Sequence, residues 1–307
     1  MGNFLTVVVS GLSTGMLYGL IGLGLVLVYR ASKVLNFAYG DMVTVLAYLA
    51  YTLAGVFHLP WPVLLGCTVC LGALLGIVVK AGLVDPLGRQ ADATWRLYGL
   101  YDESTLLNLV IGTMGLSLVL EGAEAAVWGT SVTSLPSVAG NLTWTVGTFH
   151  VAVNAVVTIL AGAAVTGGLA LLLERTRIGR QIQATYENPF GATLVGVDVR
   201  RVYTAVWIIS LVAAAVAAIF ATPVTYLSST SLVSFSFIGF VAIIVGGLTN
   251  VWGAVLGGIV LGVIQNLVAG YVSSGLEQIV IFLFVLAVLL VRPYGLFANP
   301  RQYTERV

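Results

Sequence analysis

Apolar runs of about 20 residues recur along this chain, each long enough to cross about 30 Å of hydrocarbon as a helix. In lipid every backbone N–H and C=O must be satisfied inside the protein, so only helices and closed barrels are open to such a chain. The runs are continuous rather than alternating, which selects helices. Composition agrees. Of 307 residues, 59% are hydrophobic and 8% charged, against about 25% charged in an average soluble domain. The chain reads as an all-α polytopic membrane protein, one transmembrane domain over residues 1–307 with about 8–9 crossings.

The charges set the topology. The basic residues fall in four windows: Arg30 and Lys33; Lys80, Arg89 and Arg96; Arg175, Arg177, Arg180, Arg200 and Arg201; Arg292, Arg301 and Arg306. Basic loops stay cytoplasmic, so these windows share one side. Crossings follow at about 5–29, 37–56, 62–80, 105–127, 151–173, 202–224, 251–270 and 276–292, with a shorter apolar stretch at about 235–248. The first run is too long for a signal peptide and reads as a retained helix. If 235–248 crosses, the N-terminus lies outside and the C-terminus in the cytoplasm. If it re-enters, the arginine-bearing tail lies outside, which the charge rule disfavours. Residues 80–104 read as a basic loop, and 129–150 as an uncharged outer loop apart from His150.

Small residues four apart form stripes: Gly11, Gly15 and Gly19; Gly72 and Gly76; Gly253 with Gly257; Gly258 with Gly262. They predict helices whose backbones approach closely. Cys67 and Cys70 lie in an apolar run with no second pair or histidine near, and read as packing residues rather than a metal site. His58 and His150 both fall at the outer edge, so no Ser/His or His/Asp pair shares a depth and no enzyme is expected. There is no basic patch for nucleic acid.

Two polar segments interrupt the apolar pattern. Asn36 is placed to cap a helix starting near Phe37, and Asp41 falls in its first turn, where the helix dipole favours it. Leu232-Val-Ser-Phe-Ser-Phe-Ile-Gly239 echoes Val34-Leu-Asn-Phe-Ala-Tyr-Gly40, as two repeated halves meeting at a pathway would. The third informative stretch is the elbow at about 174–201. Ile178, Ile182 and Tyr186 recur at helical spacing. Asn188 reads as an N-cap with Pro189 at the first helical position, and Gly196 as the stop. Two short helices with a corner make a projection able to dock in a partner's groove.

These segments resemble the permeases of bacterial branched-chain amino acid ABC importers, the type usually named first of the two. The matching residues are Gly15-x-x-Tyr18-Gly-Leu-Ile-Gly; Asn36-Phe37-Ala38-x-Gly40; Gly179-x-x-Ile182-x-Ala184 through Ala192-x-x-x-Gly196; Val245-Gly-Gly-Leu248; Gly253-Ala-Val-Leu-Gly-Gly258; and Arg292-Pro-x-Gly-Leu-Phe297. The family commonly has His where Tyr39 stands, and Gln or a neutral residue where Glu121 stands. The resemblance implies the larger, vitamin B12 importer-like bundle in a bacterial inner membrane. It also implies a second homologous permease, two ATP-binding cassette subunits and an extracytoplasmic binding protein. It implies that the elbow docks on an ATPase through Gly179, Arg180, Ala184, Glu187, Ala192 and Gly196. The sequence has no phosphate loop of its own, so ATP is expected on the partners and no cofactor or metal in this chain.

Transport by alternating access predicts a pathway of mild polar groups: Asn36, Phe37, Tyr39, Asp41, Ser234, Phe235 and Ser236. Two rival readings remain. One is an importer of urea or amides built on the same permease type. The other is a proton-coupled secondary transporter using Asp41, Glu121 and Glu124, since ionisable groups in a membrane are functional candidates by default. Glu121 and Glu124 lie near the outer end of their crossing and are expected to snorkel to water.

Overall fold

The computed structural model describes residues 2–33, 35–91, 103–140, 142–146, 149–248 and 250–297. Arg96, Arg301 and Arg306 lie outside them. Among the described residues, eight helices are long and apolar enough to cross a membrane, and a ninth apolar helix is shorter. The expectation of an all-α polytopic protein is met.

The elements in chain order are α1 (Gly2–Ser32), α2 (Tyr39–Phe57), α3 (Trp61–Val79), α4 (Asp85–Ala91) and α5 (Glu103–Trp128). A β-hairpin follows, β1 (Thr143–Val146) and β2 (Phe149–Ala152), then α6 (Val153–Arg175). The elbow is α7 (Arg177–Glu187) and α8 (Pro189–Leu194), and α9 (Val199–Thr225), α10 (Ser231–Gly246), α11 (Val251–Tyr271) and α12 (Glu277–Val291) complete the chain. The chain divides into two compact units. One comprises residues 1–26, 136–166 and 235–307, and the other residues 27–135 and 167–234.

In the first unit glycines set the packing. A Cβ on Gly15 would lie 2.6 Å from Ile259 Cα, and one on Gly258 would lie 2.7 Å from Gly15 O. No side chain fits there, so the backbones of α1 and α11 touch directly, which supplies contact where lipid removes the hydrophobic drive. α10, α11 and α12 share a core of Val241, Val245, Leu261, Ile281 and Val285. α10 has 16 residues, about 24 Å of helix, short of the hydrocarbon thickness. The hairpin pairs Thr143 with Ala152 and Val146 with Phe149, adding strands to the expected outer loop.

In the second unit Gly72 and Gly76 of α3 do the same against α9. Cβ atoms there would meet Leu211 O at 2.5 Å and Trp207 O at 2.8 Å. α2 ends where His58 turns left-handed (φ 48°), and α3 restarts with Pro62 in its first turn. Helix stands where the loop expected from residue 80 was to begin. A π-helical segment, Lys80–Val84, carries the chain from α3 into α4. Its wider turn brings Lys80 and Asp85, five apart, to one side, and they pair at 2.9 Å with little exposure. Pairing is what lets Lys80 be buried.

Candidate functional site: a capped elbow and a polar helix entrance

The elbow is built by its caps. Thr176 Oγ1 accepts from the Gly179 N–H at 3.1 Å and starts α7. Asn188 Oδ1 accepts from the Gly191 N–H at 2.8 Å and starts α8, with Pro189 at its first position. α8 ends in a Schellman turn. Val197 N–H donates to Ala192 O, Gly196 N–H donates to Thr193 O, and Gly196 takes φ 84°. The corner expected at Asn188 and the stop at Gly196 are both present. Asp198 then caps α9 through the Arg201 N–H at 3.2 Å.

The six residues proposed from the sequence divide by exposure. Gly179 and Ala192 are buried, and a Cβ on Gly179 would strike the carbonyls of Leu172 and Leu173. These two shape the elbow. Arg180, Glu187 and Gly196 are exposed and Ala184 is half-buried. The sequence reading missed the apolar side chains that the elbow holds outward. Ile178, Phe190, Leu194 and Val195 are all exposed, Val195 at 78%. For Phe190, Leu194 and Val195 the signal was the break in helical spacing after Pro189, which turns these apolar residues away from the face that buries Ile182 and Ala192. Exposed apolar groups beside Arg180 and Glu187 have the make-up of a docking surface.

The second candidate lies at the start of α2. Asn36 is not its cap. The cap position is Ala38, without a side-chain hydrogen bond. Asn36 is instead buried, its Nδ2 on Met42 Sδ at 3.6 Å and its Oδ1 without a hydrogen-bond partner among the described residues. Phe37 is 46% exposed, and its N–H donates to Thr113 Oγ1 at 3.3 Å. Tyr39 is buried, its hydroxyl donating to Ser210 O at 3.1 Å. Asp41 is buried and accepts from the Ser117 hydroxyl.

Two of these bonds, at Phe37 and Asp41, belong to a ladder between α5 and the α2 segment. Thr113, Ser117 and Trp128 meet residues 76 positions earlier, with Trp128 Nε1 on Thr52 Oγ1 at 2.8 Å. A constant offset means that the two helices run parallel. Tyr48 stacks on Trp128 at 5.0 Å between ring centroids. Glu124 sits on the ladder face and corrects the snorkelling expectation. It is fully buried, and neither oxygen has a hydrogen-bond partner among the described residues. Glu121 is half-buried.

The remaining pathway candidates lie on α10. Ser234 is exposed and donates to Thr230 O at 3.3 Å. Phe235 packs on Tyr18 with centroids 4.6 Å apart. Ser236 is buried with its hydroxyl unpartnered among the described residues. The echo with residues 34–40 is not a structural one: Phe37 precedes its helix, whereas Phe235 is inside α10. No group of three or more metal-ligating side chains occurs among the described residues.

Comparison with known proteins adds identity to this geometry. The family described as the permease component of the branched-chain amino acid transport system matches residues 7–291. The chain is 27% identical to the high-affinity branched-chain amino acid transport system permease protein LivH of Escherichia coli K12, covering 97% of this chain and 96% of that protein. It is 29% identical to a probable branched-chain amino acid transport permease protein LivH of Methanocaldococcus jannaschii, over 90% and 87% of the two chains. It is 26% identical to the permease protein BraD of Pseudomonas aeruginosa, over 97% of each. No solved structure matches the chain. A multi-pass membrane protein with these relatives along nearly its whole length belongs to the family of branched-chain amino acid transport system permease components.

Proposed function

We propose that this chain is the membrane-spanning subunit of an ATP-driven importer of branched-chain amino acids, working by alternating access with separate ATPase subunits. The observation that carries the reading is the elbow. It holds apolar Phe190, Leu194 and Val195 exposed beside Arg180 and Glu187, in a chain whose relatives are permeases of that transport system. A rigid, capped projection transmits a push from a neighbour. A flexible tether does not. The partners in this reading are a second related permease, two ATP-hydrolysing subunits and an extracytoplasmic binding protein. The membrane is the bacterial inner membrane, with the N-terminus outside and the C-terminus and elbow in the cytoplasm. The pathway residues in this reading are Asn36 and Phe37 ahead of α2, Tyr39 and Asp41 on it, and Ser234, Phe235 and Ser236 on α10.

Replacing Arg180 and Glu187 together with Ala should lower ATP-driven leucine uptake and leave the affinity of the binding protein for leucine unchanged. Normal uptake by that double variant removes the docking role. One observation favours the proton-coupled rival: Glu124 is buried in a membrane helix without a hydrogen-bond partner among the described residues. Uptake that persists without ATP and collapses with the proton gradient selects it. Urea or an amide competing with leucine for uptake selects the third reading.

A further inference from the structure

A cavity of about 90 Å³ opens where the end of α1 meets the elbow, lined by Arg30, Lys33, Leu106, Thr185, Tyr186 and Tyr203 among others. That is several times the roughly 10–15 Å³ needed by one water. Two cations line it, both beside the ring of Tyr186. The Arg30 guanidinium lies 4.8 Å and the Lys33 ammonium 4.3 Å from the ring centroid of Tyr186. Such stacking holds a cation in place. Among the described residues, buried Arg30 Nε has no hydrogen-bond partner, and the Thr185 hydroxyl, 1% exposed, has none either. Glu187, whose charge reaches Arg30, is exposed and accepts instead from Gln183 Nε2 at 3.0 Å. Lys33 adopts φ 58°, a left-handed conformation costly for a residue with a side chain. Strain of this kind gathers at functional sites.

We propose that this cavity binds a phosphate-bearing anion. Among the described residues, its polar lining combines two positive side chains with a guanidinium N–H and a hydroxyl that have no hydrogen-bond partner, and includes no carboxylate. That set fits an acceptor-rich anion and offers the ammonium of an amino acid no counter-charge, so it is not a cargo site. Phosphate suits a guanidinium N–H beside a second cation. Arg30 lies in the last turn of a membrane-crossing helix, where lipid headgroups begin. The phosphate comes either from an anionic lipid headgroup or from solution. Occupancy ties α1 to α7 and so stiffens the base of the elbow.

The test uses the full chain in two arms. In one, the protein is reconstituted in phosphatidylcholine vesicles with or without phosphatidylglycerol, re-extracted, and its retained lipid read by native mass spectrometry. In the other, binding of inorganic phosphate is followed by equilibrium dialysis. Retained phosphatidylglycerol assigns the site to lipid, and saturable phosphate binding without a lipid adduct assigns it to the free anion. In either case Arg30→Gln and Thr185→Val should each weaken retention about tenfold. Thr185→Val keeps the side chain's shape, so its loss of binding is not a folding defect. Equal binding by both variants and the parent overturns the proposal. So does the absence of binding in both arms, which would leave the cavity to an acidic side chain of a protein partner.

Discussion

Asn188→Ala removes the single side-chain cap of α8 while leaving its backbone path open. Asn188 Oδ1 accepts from the Gly191 N–H at 2.8 Å, and losing such a cap costs about 1 kcal/mol. α8 spans only Pro189–Leu194, so it has no intrinsic stability to absorb the loss. Its open fraction should rise about fivefold, the factor that 1 kcal/mol represents at room temperature. Hydrogen–deuterium exchange across residues 191–197 should quicken by that factor, while α9 beyond its own Asp198 cap is unaffected. Asn188→Asp, which keeps an acceptor, should restore protection. ATP-driven uptake should fall with the loss of protection, because a frayed elbow transmits less motion. Unchanged exchange in the Asn188→Ala variant would refute the capping argument. Faster exchange with unchanged uptake would refute the claim that elbow order matters to transport.

Gly258→Ala forces α1 and α11 apart, because its Cβ would lie 2.7 Å from Gly15 O. Overpacking of about 1–3 kcal/mol should lower the melting temperature in detergent, while Gly115→Ala, whose Cβ would meet none of the described residues within 4 Å, should not. Lys80→Ala leaves Asp85 an uncompensated, largely buried charge. The expected destabilisation is about 3–5 kcal/mol, with Lys80→Met combined with Asp85→Leu recovering most of it, measured by thermal unfolding. Glu124→Gln should retain ATP-driven uptake in reconstituted complexes treated with a protonophore, since the carboxyl is not needed for proton coupling in the ATP-driven reading. Abolished uptake would favour the proton-coupled one.

Much of the architecture was legible because the bilayer imposes length and charge rules that act residue by residue. The elbow was legible too, since Asn188-Pro189 and Gly196 each have one strong local meaning. Failures came where tertiary context decides. Asn36 has the chemistry of a cap, but burial turns its side chain toward Met42. Glu124 lies near the end of α5, yet the parallel packing of α2 shuts it from water, a relation no spacing within α5 reveals. The hairpin was missed although Thr143-Trp-Thr-Val146 alternates, because a four-residue signal is weak beside runs of 20. Lys80 was read as the start of a loop because its partner is five residues on, a spacing that only a π turn brings together.

Cysteine cross-linking tests the central claim most directly. With Cys67 and Cys70 replaced, Leu194→Cys places a lone thiol on the elbow's most exposed turn. The thiol is predicted to resist a membrane-impermeant maleimide added outside intact cells and to react once the inner face is opened. It is also predicted to cross-link to a co-purifying ATP-hydrolysing subunit in a yield that changes with ATP. Labelling from outside, or no cross-link to such a subunit, contradicts the account.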